Sequence, residues 1–94
     1  MMYCIEYFYA KPQFRQLLIE SLLALTKIVK NEKGCLQYDL IQDSHNPNLI
    51  ILVVQFSDPQ TMQQHEQQPY IQKFAENELK QYCDKMIWND GAKL

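Results

Sequence analysis

The side chain best suited to chemistry in this chain is His65. An imidazole titrates near neutrality, so it can take or return a proton at physiological pH. It lies seven positions after Asp58-Pro59, a helix N-cap followed by a first-turn proline. That places it about two turns into a helix. Met62 precedes it by three and shares its helix face, while Gln63, Gln64 and Gln67 suit the solvent side. An imidazole facing the protein interior needs a polar partner. Tyr38 or a tyrosine of the first strand is the expected one. The bland alternative is a packed helix histidine bonded to a neighbour. Tyr7, Tyr38, Tyr70 and Tyr82 could present phenol hydroxyls to a pocket, although tyrosine also suits half-buried strands. His45 sits in a polar turn and is expected in solvent. Trp88 is expected in the core or an interface.

Other chemistries lack their residues. The chain has only two glycines and no phosphate loop, and no His, Cys or acid cluster has metal-ligand spacing. The expectation is therefore no metal and no other cofactor. Cys4, Cys35 and Cys83 are widely spaced and odd in number, which fits reduced thiols in a cytoplasmic protein. Cys35 follows a helix C-terminal end, the wrong end of the dipole to activate a thiolate. Asp39 and Asp43 read as strand-end and turn acids.

The elements that hold these residues follow from pattern. Ninety-four residues make one domain, 1–94. A hydrophobic fraction of 47% supports a folded core, and a net charge of -2 without charged blocks argues against nucleic acid and anionic membrane as partners. No run is long enough to span a membrane, and the first residues lack a signal-peptide pattern. Tyr3, Ile5, Tyr7 and Tyr9 alternate with Cys4, Glu6 and Phe8, a strand with two different faces. Phe14, Leu17, Leu18, Leu22, Leu25, Ile28 and Val29 fall at helical spacing, and Gly34 is placed to end that helix in a left-handed conformation. Leu36, Tyr38 and Leu40 share one face of a second strand. Asn46-Pro47-Asn48 turns the chain into Leu49–Val54, which is apolar on both faces. A strand with one wet face should alternate, so both faces of this one need a cover. Helices can supply one cover and a second subunit the other. After the His65 helix, Pro69 restarts a helix with Ile71, Phe74 and Leu79 in a stripe. Tyr82 to Trp88 reads as a last strand, ended by Asn89-Asp90-Gly91. The order is βαββαβ, an α+β ferredoxin-like arrangement with an antiparallel sheet.

The run Gly34-Cys35-Leu36-Gln37-Tyr38, the turn, the buried strand and then Pro59, His65 and Pro69 resemble the antibiotic-biosynthesis monooxygenase family from Met2 to Trp88. The resemblance implies a homodimer in which two sheets pack face to face as a dimeric α+β barrel. It also implies a small-molecule pocket between sheet and helices in each protomer. Some members oxidise aromatic polyketides with molecular oxygen and no metal or flavin; others degrade haem or isomerise small phosphorylated molecules. His65 matches the family's helix histidine, Pro69 the proline after it, and Asp43 the acid closing the second strand. Val54 and Phe56 stand where members commonly have glutamate and tryptophan, and Tyr70 where a second histidine often follows. The haem-degrading branch is not matched. The expected activity is a cofactor-independent monooxygenase-like reaction on a small electron-rich organic substrate. In it His65 is the base or proton relay, Tyr38 and Tyr70 orient the substrate, and Phe56 is an apolar wall. The alternatives are a non-catalytic binding module, or an isomerase of a small phosphorylated ketone drawing on Lys11, Arg15 and Lys33.

Overall fold

A computed structural model describes residues 1–94. The chain runs β1 (Met2–Ala10), a short 3-10 turn (Pro12–Phe14), α1 (Arg15–Val29), β2 (Cys35–Gln42), β3 (Leu49–Phe56), α2 (Pro59–Glu66), α3 (Pro69–Glu76), α4 (Glu78–Tyr82) and β4 (Cys83–Ala92). The four strands form one sheet in the order β2-β3-β1-β4, and every pair is antiparallel. This is the ferredoxin-like topology expected from the order of elements.

Successive strand residues point to opposite faces. In β3 the alternation is strict: Ile50, Leu52, Val54 and Phe56 are buried, while Leu49, Ile51, Val53 and Gln55 are only partly covered. The register carries both faces across the sheet. Cys4, Glu6 and Phe8 of β1 stand opposite Val54, Leu52 and Ile50, and Asp90, Trp88 and Met86 of β4 stand opposite the same β1 residues. This is the face the helices cover. Leu18, Leu22 and Val29 of α1, Met62 of α2 and Phe74 of α3 complete its core with Phe8, Leu52, Val54 and Phe56. The second face carries Tyr3, Ile5, Tyr7 and Tyr9 beside Val53, Ile51 and Leu49, with Ile87 at one side and Ile41 at the other.

Four local expectations change. Tyr82, expected to open the last strand, ends α4, and β4 begins at Cys83. Helix α1 ends at Val29, five residues before Gly34, which has φ 84°. The glycine is left-handed as expected, but it serves the entry to β2. A Cβ there would lie 2.5 Å from Thr61 Oγ1, so a side chain would push the turn off α2. Leu36 leaves the Tyr38 face: pairing shifts register between Cys35 and Gln37, and Leu36 is exposed. A bulge re-aims the side chains around it. Last, β4 does not stop at Asn89. Asn89, Asp90, Gly91 and Ala92 pair with Ile5, Cys4, Tyr3 and Met2. The backbone groups along that edge of β1 need partners, and this pairing outweighs the turn preference of Asn-Asp-Gly.

Candidate active site

Helix α2 places the histidine. The Asp58 carboxylate accepts the Thr61 backbone N–H at 2.8 Å and caps the helix, and that bond holds its pKa below the ordinary carboxylate value. Thr61 and His65 are four apart and lie on one helix face, which is the buried face. Gly34 rests against Thr61, and Ser57 N–H donates to Gly34 O at 2.8 Å. These contacts hold the Lys30–Gly34 turn against α2, and the turn delivers Glu32.

Glu32 is the partner of His65. The imidazole Nδ1 lies 3.1 Å from both carboxylate oxygens. A carboxylate only accepts, so Nδ1 carries the proton and donates it. Tyr70 Oη–H donates to the same carboxylate. The Tyr38 ring meets the histidine edge-on at 5.9 Å between centroids, and the Phe56 ring lies tilted against it at 5.1 Å. The imidazole is thus fixed on one nitrogen and by two rings. Its Nε2 has no protein hydrogen-bond partner and is not sealed from solvent.

His65 lines a cavity of about 200 Å³ between sheet and helices. Val54, Met62, Ile71, Met86 and Trp88 supply its apolar surface; Cys4, Glu6, Glu66 and Asp90 supply the rest. A smaller space of about 80 Å³ adjoins it, sharing Glu6, His65, Ile71 and Met86 and bounded farther in by Tyr38, Leu52 and Phe74. Glu6 therefore stands at the junction of the two. Its carboxyl makes no protein hydrogen bond, and burial, reinforced by Glu66, pushes its pKa up to about 7. Cys4, one pleat away, is pushed up to about 12, mainly by burial with Glu6, Asp90 and Glu66 adding, so it stays a thiol.

The residues singled out from sequence are drawn together, though not in the arrangement expected. His65 is buried beside the cavity, but neither Tyr38 nor a first-strand tyrosine bonds it; Glu32 does. Tyr38 borders the smaller space. Phe56 is wholly buried behind the His65 ring and lies outside the cavity wall. Tyr70 reaches Glu32 from the outer side and lines neither space. Trp88, expected in the core or an interface, is 58% exposed and lines the cavity. Asp43 accepts the backbone N–H groups of His45 and Asn46 and shapes the β2–β3 turn. Two acids were not anticipated. Glu6 had a usable signal: a lone carboxylate between Cys4 and Phe8 on the face that matches β3's apolar residues. Glu32, in a charged surface-like turn, had none. Position 54 is valine where the resemblance suggests glutamate, yet Glu6 brings a carboxylate to the cavity that Val54 lines.

No curated protein matches the chain. Among solved structures, PA3566 of Pseudomonas aeruginosa is 26% identical with a TM-score of 0.90, over 99% of this chain and 93% of that one. SO0527 of Shewanella oneidensis is 21% identical with a TM-score of 0.95, over 98% and 89%. Rv0793 of Mycobacterium tuberculosis is 19% identical with a TM-score of 0.92, over 99% and 94%. The two latter likenesses speak for the fold alone. A family model supplies the assignment, matching residues 1–77, and by that match the chain belongs to the antibiotic biosynthesis monooxygenase family.

Proposed function

We propose that this protein is a monooxygenase-like enzyme that uses no metal, haem or flavin and acts on a small electron-rich organic substrate in the cavity between sheet and helices. The observation that carries the reading is the oriented imidazole. Glu32 holds Nδ1–H, which leaves Nε2 as a base beside a largely apolar space. A substrate with an acidified C–H bond would lose that proton to His65 and become a delocalised carbanion. The carbanion passes an electron to molecular oxygen, and the radical pair closes to a peroxide. His65 returns the proton to give the hydroperoxide, then takes the second proton from the same carbon. That C–H electron pair forms the C=O bond as the O–O bond breaks, and the leaving hydroxide takes the proton from His65 to become water. For a methylene carbon the balance is CH₂ + O₂ → C=O + H₂O: the carbon is oxidised, oxygen is reduced, and one oxygen atom leaves as water. Glu32 stabilises the imidazolium that forms in between. Tyr38 orients the substrate from the inner space. Tyr70 and Phe56 act through His65, by fixing Glu32 and the ring.

The isomerase alternative loses support: Lys11, Arg15 and Lys33 line neither space, so no cationic phosphate seat adjoins His65. A non-catalytic binding module remains the second reading, favoured by Val54 and Phe56 at positions where the family commonly has glutamate and tryptophan.

We also propose that the protein works as a homodimer built on the uncovered sheet face. Ile5, Ile41 and Ile87 on that face are 36%, 48% and 44% exposed, and tyrosines surround them. An apolar surface of this kind fits a sheet-on-sheet interface.

The test of the catalytic reading is oxygen uptake with easily ionised anthrones and hydroquinones, for the parent and His65→Ala. Loss of turnover with fold and oligomeric state intact supports it. Turnover unchanged in the variant, or ligands bound without oxygen consumption, moves the reading to a binding module.

A further inference from the structure

The cavity beside His65 has a charge pattern that its proposed chemistry does not use. Its polar groups other than His65 and the neutral Cys4 thiol are carboxylates: Glu6 at the junction of the two spaces, and Glu66 and Asp90 at the rim. No lysine or arginine lines it. His65 does not neutralise this set, because its N–H already serves Glu32. Glu6 is half-buried between sheet and helices, lines the cavity, and receives no hydrogen bond from the protein. A half-buried carboxylate without a donor is costly, and a ligand that supplies both a donor and a positive charge offsets that cost. The rest of the wall is apolar, with Trp88 presenting an indole ring at the mouth. Such a ring face attracts cations. No group of three His, Cys, Asp or Glu side chains is placed to hold a metal ion.

We propose that this cavity selects a ligand with an apolar body and a protonated nitrogen, an aryl- or alkylamine, and that Glu6 receives the nitrogen. This rests on the reading of the cavity as the ligand site and names the class of molecule that enters it. The ammonium group donates to Glu6, Glu66 and Asp90 lower the energy of a cation passing the rim, and the apolar body fills the space toward Ile71 and Met86. An anionic ligand of the same shape is repelled by all three carboxylates. A neutral one satisfies a single hydrogen bond and leaves the charge in place.

The test uses three molecules of one shape: 2-phenylethylamine, 2-phenylethanol and 3-phenylpropionate. Trp88 is the single tryptophan of the chain and stands at the cavity, so its fluorescence reports occupancy. At pH 8 the amine is expected to bind at least tenfold more tightly than the alcohol, and the carboxylate most weakly. Glu6→Gln is expected to remove the preference for amine over alcohol. Thermal-shift measurements on the same pairs guard against a variant that fails to fold. The proposal is overturned if the amine does not bind at millimolar concentration, if the alcohol or carboxylate binds as well, or if Glu6→Gln keeps the preference. These outcomes are read without turnover. Amine selectivity with no oxygen uptake on any substrate would sink the monooxygenase reading and leave this one standing.

Discussion

The two faces of β3 have almost the same apolar content and opposite fates. In β3 the covered set Ile50, Leu52, Val54 and Phe56 is buried, and the interleaved set Leu49, Ile51, Val53 and Gln55 is not. The covered face is closed by α1, α2 and α3 except where Glu6 and His65 hold the cavity open. The other face is broad, has tyrosines in a row on β1, and holds no acid in its centre. Composition alone does not separate a core from a docking surface. What separates them is which set the crossover helices reach, and that is decided by the pleat of one strand.

Neighbouring substitutions on β3 divide the faces most sharply. Ile50→Lys puts an ammonium in the core opposite Phe8, away from the cavity. An unpaired buried charge costs on the order of 3–5 kcal/mol, a large share of the stability of a small domain. The expected result is an unfolded or aggregated protein by circular dichroism. A well-folded Ile50→Lys variant would mean the helix-side packing is looser than described. Ile51→Lys, the next residue and on the opposite face, is expected to leave the secondary structure intact and convert the dimer to monomer in sedimentation velocity. If the parent already sediments as a monomer at micromolar concentration, the docking role of the open face is wrong.

Within the covered face, Glu6 gives a pH-dependent difference. Its folded pKa of about 7 lies above the ordinary 4.5. Below the ordinary value it is protonated in both states and costs nothing. As pH rises from there through about 7 the unfolded chain ionises first, so stability is lost across that window. Glu66, Asp90, Cys4 and His65 are the titratable groups that share its cavity. Glu6→Gln should therefore be more stable than the parent by up to about 3 kcal/mol at pH 8 and equal to it near pH 4, by urea denaturation. A gain that does not vary with pH would show that the carboxyl is solvated. The smallest effect is expected from Tyr70→Phe. It removes one donor to Glu32, costs about 1 kcal/mol, and should lower turnover through His65 without changing ligand affinity. Equal loss of affinity would place Tyr70 in contact with the ligand.

Local pattern carried much of this protein. Alternation gave β1 and the two-sided β3, the 3.6-residue stripe gave α1, and Asp58-Pro59 set the phase of α2 so that His65 faces inward. These signals are legible because each is written over a few consecutive residues with the period of its own element. The contacts that turn His65 into a candidate base were not legible. Glu32 is 33 positions away in a turn, and it meets the imidazole only because Gly34 lets that turn lie against Thr61. Asn89–Ala92 became strand because β1 had backbone groups to pair, against its own turn preference. Glu6 acquired its unusual environment from a cavity whose walls come from the sheet, α2 and α3. Pairing between distant segments leaves no periodicity in either one, so the sequence determined the elements and the direction of the histidine, while tertiary packing decided what the histidine touches and what the cavity can accept.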